Sequence, residues 1–312
     1  MAMVTARQSS FELLRIVSAA GIVWFHASVT GSEIGYTGLT VFLLLTALFE
    51  LGVNFERRTP WTRHATRLLV PFVFWSAIYT AANVVKGKPV LNLEGGPVLG
   101  VLAGPSIHLW YLPFMAAVLA VLGLLKVRVS QRTIGALAFM AVVPIIGAFH
   151  YLRPEVAQAP PPVPQWFHAT VPVLLGAVVG ANRNGTALLR GLTVGTLALA
   201  FAVSGDVQVL EFLAGVLLVE LAARVSWSDA RVNRVAGMMM GVYLVHPLAL
   251  TMFRIVEPYS QAAFVAGAFI ASTAGVMMAA RLAPKVSGML LGTPKAEPRR
   301  VKERPELSVS PS

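Results

Sequence analysis

FELLRIVSAAGIVWFHASVTG, residues 11–31, has the length that a bilayer's hydrocarbon core asks of a helix, and it stops at the polar Gly31-Ser32-Glu33. Its ionisable residues are Glu12, Arg15 and His26. The segment reads as a membrane-crossing helix. Working outward, nine further spans follow at 36–54, 66–86, 106–126, 133–151, 166–182, 186–204, 207–225, 234–255 and 261–283. The separators have the right chemistry: Lys86-Gly87-Lys88-Pro89 is a polar turn, and Pro160-Pro161-Pro162-Val163-Pro164 cannot continue a helix. Composition agrees. Of 312 residues, 56% are hydrophobic and 12% are charged, against about 25% charged in an ordinary soluble domain. Mean hydropathy is +0.71. A disordered chain and a water-soluble enzyme are both excluded. The chain has no cysteine, which removes disulfides, thiolate metal sites and a cysteine nucleophile. The expected fold is all-α: a polytopic membrane helix bundle of about ten spans.

The cationic residues orient it. Arg7; Arg57, Arg58, Arg63 and Arg67; Lys126, Arg128 and Arg132; Arg183 and Arg190; Arg224, Arg231 and Arg234; and seven more from Arg281 onward all fall on one side of such a frame. Lys86, Lys88, Arg153 and Arg254 fall on the other, and Arg15 lies within the first span. This split places both termini in the cytoplasm. The first span lacks a small-x-small cleavage site and is read as retained. Residues 1–283 form one transmembrane domain, and 284–312 read as a disordered basic tail resting near anionic lipid. No loop is long enough for a soluble domain, so any active site must lie within the bundle.

Ionisable groups inside spans are costly and mark function by default. Arg15 and His26 are eleven residues apart, which brings them to within about 20° on one helix face, separated by a rise of about 16 Å. One helix thus offers a fixed cation near the cytoplasm and a titratable base deep in the bundle. Snorkelling of Arg15 and a structural hydrogen bond at His26 are the plain alternatives. Arg57, Arg58, Arg63 and Arg67 suit phosphate binding at the cytoplasmic mouth, beyond what orientation requires. His108, Trp110 and Tyr111 sit at the outer end of the fourth span, where Trp and Tyr also serve as belt residues. His246-Pro247 marks a kink with a polar group beside it. His64, His150 and His168 lie near span ends, where water is available. There is no phosphate loop, no Gly-x-Ser-x-Gly elbow and no metal-ligand spacing. Arginines scattered among membrane loops argue against nucleic-acid binding.

In order along the chain, these fragments resemble the bacterial acyltransferase-3 family of multi-span O-acyltransferases, which modify cell-envelope glycans such as O-antigen and exopolysaccharide. The resemblance is carried by Arg15 through His26, by Gly38 to Ala47, by Arg63 to Pro71, by His108 to Leu112 and by Tyr243 to Pro247. Thr46-Ala47 stands where members usually have Ser-Gly, and the arginine spacing before the third span departs from the usual pattern. The resemblance implies a bacterial inner-membrane enzyme with acyl-CoA, acetyl-CoA above all, as donor and no metal. It implies a carbohydrate or lipid-linked sugar as acceptor. On this reading His26 is the general base, and Arg15 holds the donor or stabilises developing charge. Arg58, Arg63 and Arg67 bind coenzyme phosphates, while His108, Trp110, Tyr111 and His246 serve the acceptor side. Many members carry an extra periplasmic domain. This chain leaves no room for one, so a second transfer step would fall to a separate protein. The rival reading is a transporter or flippase that uses Arg15 and His26 for binding and proton coupling.

Overall fold

A computed structural model describes residues 8–57, 59–182 and 187–294, and every regular element among them is helical. The helices are α1 (Ser9–Ala27), α2 (Thr37–Leu51), α3 (Trp61–Val85), α4 (Gly96–Ala103), α5 (Tyr111–Arg128), α6 (Gln131–Ala157), α7 (Val163–Ala181), α8 (Ala187–Ser204), α9 (Val207–Arg224), α10 (Ala230–Ala236), α11 (Met239–Phe253), α12 (Gln261–Leu282) and α13 (Pro284–Leu290). Short 3-10 turns, Ser32–Tyr36 and Ile107–Trp110, lead into α2 and α5.

Bonds between helix ends define two faces. On the arginine-rich face the Ser9 amide donates to Trp227 O, Ser9 Oγ donates to Asn233 Oδ1 at 2.9 Å, and the Asp229 amide donates to Ser9 Oγ at 2.7 Å. These bonds strap the start of α1 to the loop between α9 and α10. The amides of Val232 and Arg231 donate to the Asp229 carboxylate, which caps α10 and is held below its usual pKa by those bonds. On the arginine-poor face Thr30 meets Gln261, Asn83 donates to Pro105 O, and Asp206 faces His150 and Arg153.

Nine described helical segments are long and apolar enough to cross a membrane. The exception among the ten expected spans is α9. It runs between the same two faces in 18 residues but carries Glu211, Glu220 and Arg224. The last expected span but one is two helices, α10 and α11, separated at Gly237-Met238. The arginine stretch before the third span is not all loop. Thr59-Pro60 leads directly into α3, which places Arg63 and Arg67 four residues apart on its first two turns. Residues assigned to the tail from 284 begin with α13, whose Leu290 carbonyl accepts from Trp75 Nε1 at 2.9 Å. The rest of that stretch, 295–312, lies outside the described residues.

Without a hydrophobic drive between helices in lipid, close backbone approach and polar links hold a bundle together. Gly38 on α2 lies against the Ser18 carbonyl of α1, where a Cβ would collide with backbone. Gly176 and Gly180 on α7 lie in the same way against the Leu44 and Leu48 carbonyls of α2. Ala47, in the departure from the family's usual Ser-Gly, is fully buried against Gly176. At the arginine-rich end Lys126 of α5 bonds Glu50 Oε1 of α2 at 2.7 Å and also the Asn54 and Arg57 carbonyls. The two side chains are 6% and 11% exposed. Glu50→Ala leaves the Lys126 ammonium buried without its counter-charge, at an expected loss of about 3–5 kcal/mol. A fall in the thermal midpoint of the detergent-solubilised protein measures it, and Glu50→Ala with Lys126→Met restores most of the loss.

Candidate active site

The local chemistry of the site begins at His246-Pro247. Proline has no N–H, so within α11 the carbonyl four residues back, that of Tyr243, loses its helical partner. The His246 ring supplies a replacement: its Nδ1 donates to Tyr243 O at 2.6 Å. This fixes the ring's direction and leaves Nε2 as the nitrogen with the lone pair. His246 is fully buried, and Nε2 has no partner. On the next turn the Leu244 carbonyl accepts from Tyr79 Oη at 2.7 Å, and Tyr243 Oη donates to His108 O.

His108 lies in the 3-10 turn before α5 and is also buried. Its Nδ1 is 2.9 Å from Ser106 Oγ, in a hydrogen bond, and its Nε2 is unpartnered. His26, at the far end of α1, completes a trio. Its ring centroid is 5.0 Å from that of His246 and 6.4 Å from that of His108, and the latter two are 5.2 Å apart. Two buried imidazoles, each with one anchored nitrogen and one open nitrogen, therefore back a third. Only His26 and His108 of the trio line the adjoining cavity of about 420 Å³. Trp110, Phe25, Tyr36 and Tyr243 form much of its aromatic wall.

Glu33, Gln165, Gln208 and Glu211 also line the cavity. These come from the 3-10 turn before α2 and from the first turns of α7 and α9. Behind them His168 Nδ1 pairs with Gln208 Oε1 at 3.3 Å, and its ring lies between Tyr36 and Phe212 at 4.7 and 4.9 Å. The expectation that His168 sits near water does not hold. It is 5% exposed, closed in by aromatic rings from three different elements.

Of the residues singled out in the sequence, His26, His108 and Trp110 meet at the cavity. His246 and Tyr111 stand directly behind that wall, Tyr111 with its ring 5.2 Å from Tyr243. Arg15 is a separate station toward the arginine-rich face. Its Nη1 is 3.2 Å from both carboxylate oxygens of Glu12, and its guanidinium lies 4.9 Å over the Phe49 ring. Arg63 and Arg67 are exposed at the arginine-rich end of α3, and Arg58 lies outside the described residues. The sequence reading gave Glu33 only as part of the polar turn after the first span, and assigned no role to Tyr36, Gln165, Gln208 or Glu211. A charged residue within the eighth span was the available signal for Glu211. Nothing local marks the two glutamines.

Among the described residues no group of three or more His, Cys, Asp or Glu side chains is arranged to hold a metal ion. The acyltransferase-3 family model, described as an acyltransferase domain, matches residues 8–281. No curated protein and no solved structure matches the chain. The family match spans the whole bundle, from the first residue of the α1 cap to the last turn of α12, and includes every residue of the cavity wall. A multi-pass helical bundle with a polar cavity among its helix ends, matched over that length, makes this chain a membrane acyltransferase of the acyltransferase-3 family.

Proposed function

We propose that the protein moves an acyl group, acetyl or succinyl, from acyl-CoA to a sugar hydroxyl of an envelope polysaccharide or lipid-linked glycan, in the bacterial inner membrane. The observation that carries this reading is the histidine trio at the cavity wall. Acyl transfer from a thioester needs a base for the hydroxyl proton as oxygen attacks the carbonyl carbon. His26 is the trio member on the cavity with the open ring, and His246 Nε2 behind it is an acceptor ready to orient the His26 ring. As the tetrahedral intermediate collapses, the thiolate leaves and takes the proton back from His26, giving free coenzyme and the acyl ester.

Arg15 lies about 16 Å along α1 from His26, too far to touch charge developing there, so its role is on the donor side. Arg63 and Arg67, exposed one helical turn apart, suit the coenzyme's phosphates. Both termini and these arginines are cytoplasmic on this reading, and the cavity lies toward the outer leaflet. His108 and Trp110 serve the acceptor, and Tyr111 supports their wall.

Two experiments test it. Mass spectrometry of envelope glycans from a deletion strain is expected to show loss of one acyl increment, restored by the intact gene. Unchanged acylation in the deletion strain overturns the proposal. In the purified protein, Arg67→Ala is expected to raise the apparent KM for acetyl-CoA about ten-fold with little change in kcat, as for an interaction made equally in ground and transition states. An unchanged KM removes Arg67 from donor binding.

A further inference from the structure

The polar lining of the cavity other than its histidines has chemistry of its own. Its polar side chains are two carboxylates, Glu33 and Glu211, and two carboxamides, Gln165 and Gln208. Among the described residues no lysine or arginine lines the cavity. Glu211 is 8% exposed, and its Oε2 is buried with no hydrogen-bond partner. Gln165 Oε1 is buried and unpartnered as well. Outside that lining, Arg153 stands 4.0 Å from Asp206, which His150 also faces. Buried acceptors left without donors are costly unless something supplies the donors.

Two buried acceptor oxygens without donors, on residues that line the cavity, suit a ligand rich in donors. Hydroxyl groups meet that need. A carboxylate or phosphate meets it less well, because it would face Glu211 in a poorly screened cavity whose described lining holds no lysine or arginine. The aromatic side chains of the same wall, Tyr36 and Trp110, suit the apolar face of a ring. We infer that Glu211 and its neighbours form the acceptor subsite, and that they select a neutral, hydroxyl-rich sugar residue and turn away an anionic one. The inference rests on the transfer reading above: a ring held at Glu211 lies in the same cavity as His26 and can offer it another hydroxyl.

The test uses the purified full-length protein, acetyl-CoA as donor and envelope glycan from the deletion strain as acceptor. Thioester turnover is measured with and without acceptor, and the acylated residue is identified by mass spectrometry. The expected results are acylation of a neutral sugar residue, a rise of about ten-fold or more in acceptor KM for Glu211→Ala, and a larger loss of turnover with acceptor than without it in that variant. Glu211→Gln keeps one acceptor oxygen and is expected to recover part of the loss. Acylation of a uronic acid or of a phosphorylated residue overturns the inference. So does an unchanged acceptor KM, or equal loss of both turnovers in a folded Glu211→Gln protein. Failure of the wild-type protein to turn over acetyl-CoA under either condition counts instead against the transfer reading.

Discussion

His26→Ala abolishes acyl transfer while the protein remains inserted and folded. General-base catalysis contributes about 10²–10⁴-fold, and a loss within that range is expected: His108 shares the wall, but its ring is held at Ser106 and its open Nε2 is buried, and His246 stands behind it. Folding survives because the ring faces a cavity rather than filling a packed core, its closest neighbours being the edges of Phe25 and the other two histidines. The measurement is initial-rate acetyl transfer by purified wild-type and variant protein at matched thermal midpoint. Added imidazole is expected to restore part of the rate by occupying the vacated space. Wild-type turnover in the variant removes His26 from the base role.

Pro247→Ala is expected to make the protein more stable and less active at once. Alanine is favoured over proline in a helix interior by about 3 kcal/mol, and it returns an N–H to the Tyr243 carbonyl. That N–H competes with His246 Nδ1 for the same oxygen. The His246 ring then loses the bond that sets its direction and its tautomer. A fall of about ten-fold or more in transfer rate, with a raised thermal midpoint, is the expected pair of results. A raised midpoint with an unchanged rate means that the Tyr243 bond to His246 is only structural.

Much of the fold was legible because lipid imposes a simple rule, a run of about 20 apolar residues per crossing. The basic separators then sorted the helix ends, and the side-chain bonds Ser9 to Asn233 and Lys126 to Glu50 agree with that sorting. The rule has less to say where a helix gains its place from packing. The crossing by α9 tolerates Glu211 and Glu220 because one faces a cavity and the other pairs with Arg190 at 3.2 Å. Hydropathy also cannot place a break inside an apolar run, so the separation of α10 from α11 was missed.

The site divides in the same way. His26, His108 and His246 were each visible as ionisable groups in apolar surroundings, but their meeting was not, because it joins residues from positions 26, 108 and 246. The acidic part of the lining was less legible still. Gln165 and Gln208 are unremarkable beside a proline run and a helix cap, and acquire meaning only when α7 and α9 bring them beside Glu33.

The Glu50–Lys126 pair spans 76 residues of sequence. A ribosome adds roughly 5–20 residues per second, so the acid waits about 4–15 s for its cation to be made. During that interval α2 and α3 have been made, and Glu50 lacks its buried ion-pair partner. Biogenesis therefore has a built-in order: the first three crossings remain provisional until the fifth helix emerges, and a nascent chain arrested before Lys126 carries a mark that a completed one does not.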